Sequence, residues 1–569
     1  MDVLQHIKMY EKIYSGAKIF IESLLDEQVE YIFGYPGGAI LPIYDYLYEY
    51  SMLIQHILTR HEQGSIHAAQ GYTRSSGKVG VCIATSGPGA TNLVTGLADA
   101  FMDNTPIVCI TGQVDSNLLR TDSFQEVDII DISSTITKWN VQINTVKDIY
   151  KNIRKAFYIS KIGRPGPVLV DITKNAQLEK SYFKKNIYYK IEYLFKYEVL
   201  NKIDEAVSLI YISKRPLVII GQGVLLASAE YEVKNFIEKS GIPVASTLLG
   251  LDILNSYHPL FIGLLGMHGN YAPNILTNHC DVIIAIGMRF DDRVTGDIKR
   301  YAKKAKIIHF EIDPYEIGKN IYCDIPIIGN CKITIPKFTK IIIKKQYIKW
   351  VNNFYLLNEK KIIQRCEINY KNKQSIYLIE IIKFLNIYKE KKSLLVTDVG
   401  QHQMIASKYF SFAYIKSNIT SGGLGTMGFS LPASIGAKLG ALNRQVICIV
   451  GDGGLQMTLQ ELGTLYENKQ KIKIVIINNN FLGMVRQWQE FFFEKRYSNT
   501  KLINPNFIKI AEAYNIKGER LHKRYLISKS IKNMLTYKGS NILEVIVEKY
   551  DNVFPMILSS YTSDQIRIM

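Results

Sequence analysis

The chain has 569 residues, enough for three or four domains that each bury a core of their own. Its 47% hydrophobic and 21% charged content is that of a globular protein, and no uninterrupted apolar run is long enough to cross a bilayer. The formal net charge of +18 argues little for nucleic acid, because the lysines are spread out in short clusters such as Lys184-Lys185, Lys344-Lys345, Lys360-Lys361 and Lys391-Lys392. A modest attraction for anionic metabolites is what remains.

From about Tyr14 to Thr173 helical stretches alternate with short apolar strands (Tyr31 to Phe33, Val79 to Ala84, Ile107 to Thr111, Val168 to Ile172). A Lys/Tyr-rich linker is expected near Glu179 to Lys196. A second alternating block runs from about Leu200 to Thr339, with strands at Leu217 to Ile220, Val282 to Ile286 and Ile307 to Ile312. Lys340 to Gln374 reads as a lysine-heavy surface traverse. The third block, about Ser375 to Lys549, opens at Leu394 to Thr397. The fold class predicted is α/β, with three doubly wound parallel-sheet domains at 14–178, 200–339 and 375–549 and a tail at 550–569. The seven cysteines lack CxxC spacing and several sit in apolar runs, so buried free thiols are expected. The amino-terminal residues carry neither a signal-type nor a transit-type pattern, which points to a cytoplasmic product.

The most informative stretch is Ile447 to Gln489. An apolar run stops at Gly451-Asp452-Gly453-Gly454, a helical segment follows, and a β-branched run, Ile472 to Ile477, ends in Asn478-Asn479-Asn480. Both polar clusters fall at carboxyl ends of strands, the edge where open parallel sheets bind ligands. There glycines admit a diphosphate to the backbone amides, and a carboxylate with an amide oxygen supplies hard ligands for magnesium. In the first block, Glu62 opens a helix whose next positions are small or apolar. Its carboxylate is expected to be desolvated and able to hold a proton.

The motifs GYPGGAILPIYD, RHEQGSIHAAQGY, GPGATN, SFQEVDI, GRPGPVLVDI, LGMHGN, GMRFDDRVTG, IDPYEIGKN, DVGQHQM, SGGLGTMGFSLPASIGA, GDGGLQM and GMVRQWQ stand in this order along the chain. From about Tyr14 to Pro555 the sequence resembles the acetolactate synthase (acetohydroxyacid synthase) large-subunit family of thiamine diphosphate enzymes.

The resemblance implies a pyrimidine-binding first domain, an FAD-binding central domain and a third domain for diphosphate and Mg2+. It implies decarboxylation of pyruvate and transfer of the two-carbon unit to pyruvate or 2-ketobutyrate, a step of valine, leucine and isoleucine synthesis. By the same resemblance Glu62 activates thiamine diphosphate, and Asp452, Asn479 and the Phe481 carbonyl hold the metal. Gly400, Gln401, His402, Gly425, Met427, Gly453, Gly454 and Met484 line the rest of the thiamine site. The flavin falls to Arg164, Gly221, Gly223, Leu265, Gly266, Met267, His268, Gly287, Arg289, Ile312, Asp313 and Asn330. Arg289 fixes the carboxylate of the incoming 2-ketoacid, Trp488 packs on the ethyl group of 2-ketobutyrate, and Phe124, Gln125 and Lys174 surround the second-substrate channel.

The resemblance also implies a homodimer whose active site is shared across the interface, with a tetramer and a small regulatory subunit left open. The compartment is a bacterial cytoplasm or an organelle stroma. Three positions depart from the family pattern: Gly454-Leu455 replace Ser-Phe, Asn330 replaces an aspartate at the flavin adenosine end, and the tail FPMILSSYTSDQIRIM lacks the PMVPPG continuation. A pyruvate oxidase-like flavoenzyme and a non-catalytic partner chain are the rival readings.

Overall fold

The computed structural model describes residues 12–185, 202–368 and 374–557. The described residues form three six-stranded parallel sheets and one small antiparallel pair. In the first sheet the order is Gln55–Leu58, Tyr31–Gly34, Gly80–Ala84, Ile107–Gln113, Val168–Thr173, Trp139–Ile143. The central sheet runs Phe261–Leu264, Val244–Ser246, Pro216–Ile220, Val282–Ile286, Lys306–Glu311, Ile325–Ile328. The third runs Asn418–Thr420, Leu394–Thr397, Val446–Gly451, Ile472–Asn478, Asn541–Ile546, Lys517–Leu521.

The inner strands are buried on both faces, as Ile472–Asn478 shows at every position, because helices cover each side; hence they read as continuous apolar runs. In each sheet the strand order reverses beside the domain's first central strand. That reversal opens a crevice at the carboxyl ends, between Leu394–Thr397 and Val446–Gly451 in the third sheet and between Pro216–Ile220 and Val282–Ile286 in the central one.

Two expectations need correction. Part of the expected linker, Lys180–Phe183, is a strand that pairs antiparallel with Lys12–Ser15; residues 186–196 of that linker lie outside the described residues. The supposed surface traverse after Lys340 contributes to the central core: Tyr347, Trp350 and Phe354 are buried, and the Trp350 indole donates to the Pro216 carbonyl at 2.9 Å. Spaced at i, i+3 and i+7, these aromatics share one side of the helix Ile348–Ile368 and the residue before it, and the lysines around them hid that stripe. Residues 369–373 of the traverse and 558–569 of the tail lie outside the described residues.

The chain divides into two compact units. One comprises residues 1–195, 435–440 and 460–468; the other comprises residues 196–434, 441–459 and 469–569. Among the described residues no helix is long and apolar enough to cross a membrane. Cys82, Cys109, Cys280, Cys331 and Cys448 are buried free thiols, and Cys323 is partly buried.

Candidate active site

In the second unit a cavity of about 250 Å³ opens at the reversal point of the third sheet. Its lining includes Gly400, Gln401 and His402 from the start of one helix, Gly425 and Met427 from a loop, and Gly451, Asp452, Gly453 and Gly454 at the end of Val446–Gly451. Asn479, Phe481 and Met484 complete it from the end of the neighbouring strand. The structure therefore brings every thiamine-site residue expected in the third domain into one cavity.

Asp452 is 2% exposed, and burial pushes its carboxyl up to about 6 against the hydrogen bonds that favour its charge. Its Oδ2 accepts from the Asn504 amide at 2.7 Å and the Asn480 N–H at 2.9 Å, and Oδ1 accepts from the adjacent Gly453 N–H at 3.1 Å. Asn480 reaches this position with φ of 57°, in the left-handed region that asparagine tolerates. The segment after it is held by a bridge from Phe481 to Lys501 and by bonds from Leu482 N–H to Thr500 O and from Leu502 N–H to Asn480 O.

Asn504, which sequence reasoning missed, sits just beyond that bridge, and its amide also reaches Asn478 Oδ1 at 3.0 Å and Asn480 Oδ1 at 3.1 Å. Its only sequence signal is a position in an irregular polar stretch, Asn504-Pro505-Asn506. Asn479 Oδ1 accepts from the Phe481 N–H at 2.9 Å.

His402 tests whether an anion fits here. The ring is 6% exposed, and burial lowers it to about 4, so it is neutral at pH 7. Among the described residues its Nε2 has no partner, while the ring also bonds toward the Asp398 backbone. A phosphate oxygen satisfies that orphaned nitrogen, because negative charge beside the ring favours the protonated form, which donates from both nitrogens. Backbone leaves room: a Cβ on Gly451 would stand 3.0 Å from this ring. Gln401 is spent internally, its amide donating to Gln487 Oε1 at 2.9 Å and to the Asp551 carbonyl at 3.1 Å. Asp551, Asn552 and Val553 thereby form part of the cavity wall.

Trp488 packs with Met267, Met556, Phe491 and Phe492 in a small apolar cluster, its ring 5.1 Å from that of Phe492. Arg289 follows the strand Val282–Ile286 and pairs with Asp291 at 3.3 Å while remaining partly exposed, so part of its fork is tied within the loop. Gly221, Gly223 and Gly287 close the central crevice; Gly287, at φ of 58°, comes so near that a Cβ on it would lie 2.7 Å from Gly223 Cα. Leu265 and Met267 are buried, Gly266 turns between them at φ of 111°, and His268 is buried with Nδ1 unpartnered and its basicity lowered by burial to about 3. The Ile312 and Asp313 amides are both taken by Glu311 Oε1, at 2.9 and 3.2 Å. Asn330 caps the helix Cys331–Ile341 through the Lys332 N–H at 2.8 Å.

The first unit holds the remaining expected residues. Glu62 opens the helix Glu62–Ser76, capped by His61 Nδ1, which accepts from the Gln63 N–H at 3.1 Å. Its carboxylate is 8% exposed and accepts from the Asn92 amide at 2.9 Å. A Cβ on Gly89 would lie 3.2 Å from it, and the same loop packs on the Gln125 backbone at Gly87. Phe124, beside Gln125, is 86% exposed; Lys174 is exposed at the start of Lys174–Leu178. Arg164 donates to Asn104 Oδ1 at 2.6 Å.

An acid buried at the start of a helix in the first domain and a glycine-lined cavity at the carboxyl end of the third sheet match what the resemblance implies for a thiamine pyrophosphate enzyme. Family models agree: the thiamine pyrophosphate enzyme N-terminal TPP binding domain matches residues 14–132, the central domain 203–338 and the C-terminal TPP binding domain 398–545. The chain is 41% identical to the acetolactate synthase large subunit of Lactococcus lactis subsp. lactis, over 99% of this chain and 97% of that one. It is 43% identical to the probable acetolactate synthase large subunit of Methanococcus aeolicus, over 94% and 92% of the two chains. It is 39% identical to the acetolactate synthase isozyme 2 large subunit of Escherichia coli, over 95% and 97%. The chain belongs to the acetolactate synthase large-subunit family.

Proposed function

We infer that this chain decarboxylates pyruvate and joins the two-carbon unit to a second pyruvate, giving 2-acetolactate, or to 2-ketobutyrate, giving 2-aceto-2-hydroxybutyrate. The observation that carries this reading is the cavity around Asp452, Asn479 and His402, whose donors suit a metal-bridged diphosphate, in a chain of this family that also buries Glu62. Bound thiamine diphosphate supplies a carbon nucleophile and an electron sink for the pair left when carbon dioxide departs.

Glu62 exchanges a proton with the cofactor's pyrimidine nitrogen, and Asn92 fixes the carboxyl for that exchange. Side-chain oxygens of Asp452 and Asn479, with the Phe481 carbonyl, hold Mg2+. His402 takes a phosphate oxygen, and Met427, beside Gly453, shapes the cofactor bed. Arg289 fixes the carboxylate of the second 2-ketoacid, a task suited to its rigid fork of donors. Phe124, Gln125 and Lys174 border its path. By the family resemblance Arg164, Gly221, Gly223, Leu265, Gly266, Met267, His268, Gly287, Arg289, Ile312, Asp313 and Asn330 would hold FAD, which would take no net part in the redox balance. A homodimer that shares the site between subunits is what the family resemblance implies. A small regulatory partner fits the large-subunit naming of the relatives. The compartment is a bacterial cytoplasm or an organelle stroma.

Purified protein given pyruvate, thiamine diphosphate and Mg2+ is expected to form acetolactate without an electron acceptor. Flavin bleaching in place of acetolactate would identify a pyruvate oxidase-like enzyme, and no turnover at all a non-catalytic chain.

Trp488→Leu removes the flat wall of the Met267 and Met556 cluster, so the preference for 2-ketobutyrate over pyruvate is expected to fall roughly tenfold, the worth of a methylene contact or more. An unchanged product ratio in competition would sink the specificity role. Asn504→Ala frees Asp452 Oδ2 from its shortest partner, so Mg2+ affinity in the presence of thiamine diphosphate is expected to drop about tenfold, the usual cost of an outer-layer partner. Calorimetric titration reads that change directly.

A further inference from the structure

Glu461 has no part in the mechanism above, yet it is a fully buried carboxylate, 0% exposed, on the helix Glu461–Glu467. Both its oxygens accept from the Arg60 N–H, at 3.1 and 3.2 Å, and the His61 amide is directed at the same group. The Thr464 hydroxyl donates to Oε2 at 2.7 Å and lies 3.2 Å from the Leu58 carbonyl, where the strand before Glu62 ends. The Arg60 guanidinium binds that same carbonyl at 3.1 Å and pairs with Glu467 at 2.8 Å, one turn further along the helix. Space for the carboxylate exists because the third residue of the Glu62 helix is glycine: a Cβ on Gly64 would stand 2.4 Å from Glu461 Oε1.

Three consecutive positions, Arg60, His61 and Glu62, thus leave the strand with the first two tied by their amides to one buried anion. We propose that Glu461 is a positioning residue for Glu62, anchoring the Arg60-His61 turn so that the Glu62 carboxyl is presented in one orientation. This rests on the reading of Glu62 as the group that activates the cofactor. The groups facing Glu461 are Arg60 and His61 from the turn and Thr464 and Glu467 from its own helix, with Glu62 next in the chain. Burial holds the Glu461 carboxyl up at about 7, so the ionised form costs stability: the cost is absent below the ordinary value near 4.5, grows as pH rises, and is complete above about 7. A buried acid kept at such a cost is found where function needs it rather than where stability does.

The test compares Glu461→Gln, Gly64→Ala and, as reference, Glu62→Gln. Glu461→Gln is expected to lower kcat about 10- to 100-fold through misplacement of Glu62. KM for pyruvate and half-saturation by thiamine diphosphate should stay within about twofold. In protein without cofactor, hydrogen exchange of the 60–62 amides should speed up, while Tm at pH 8 stays equal to or above that of the wild type. Gly64→Ala, which pushes on the same carboxylate, should reproduce the kcat loss and carries the test if Glu461→Gln does not fold. Wild-type kcat in both folded variants beside an inactive Glu62→Gln would overturn the proposal alone. Loss of kcat, substrate affinity and Tm together would overturn it in favour of plain structural support. An active Glu62→Gln would instead remove the reading beneath it.

Discussion

Glu62→Gln is expected to lower kcat by at least about 100-fold, the low end of what a positioned proton-transfer group contributes. The change is nearly isosteric: the site is 8% exposed, and the amide oxygen of glutamine still accepts from Asn92, so the fold should persist. What disappears is the proton. Binding of Mg2+ and thiamine diphosphate should remain within a few fold of wild type, because the diphosphate cavity belongs to the other unit. Single-turnover kinetics with calorimetry separates the two quantities. Near-normal turnover would end the assignment of Glu62.

Asp452→Asn is expected to weaken Mg2+-dependent uptake of thiamine diphosphate by about 100-fold or more, roughly 2.7 kcal/mol. The replacement removes the full charge at the metal position. It also sets an amide NH2 against donors, since Asn504, Asn480 and Gly453 all donate toward this side chain. Stability should move differently. Burial raises the Asp452 carboxyl from its ordinary 3.8 to about 6, so at pH 7.5 its charge is a full cost to the folded protein, one that vanishes as pH falls through that range. At pH 7.5 the loss in Tm of Asp452→Asn should therefore be small beside its loss of cofactor affinity. Unaltered cofactor affinity would refute the metal role. Since the two carboxylates sit in different units, mixing inactive Glu62→Gln and Asp452→Asn proteins under subunit exchange should restore part of the activity if subunits share the site.

The sequence made the inner strands legible because they are covered on both sides. Val446–Gly451 is an unbroken apolar run and Ile472–Ile477 is broken only by Lys473, and their ends place Asp452 and Asn479 at a sheet edge without further information. Edge strands gave little signal. Gln55–Leu58 is half polar and only one of its residues is buried, yet it delivers the chain to Glu62. The edge strand Asn418–Thr420 and the inner strand Val244–Ser246 are three residues each, too short for any periodicity to register. Trp350 and Phe354 were obscured for another reason: their stripe lies on a helix whose other positions mix lysine and asparagine with exposed apolar residues such as Ile348 and Leu356, so no single apolar face stands out.

Local pattern thus fixed the chemistry carried at each strand end: a carboxylate, an amide cluster, glycines and an acid opening a helix. Contacts across long stretches of chain decided how those groups are held. Asn504 meets Asp452 from 52 positions away, and Glu461 meets Arg60 from 401. No period or spacing encodes such meetings, because hydrogen bonds between distant loops depend on where whole sheets end, and only packing of the core sets that.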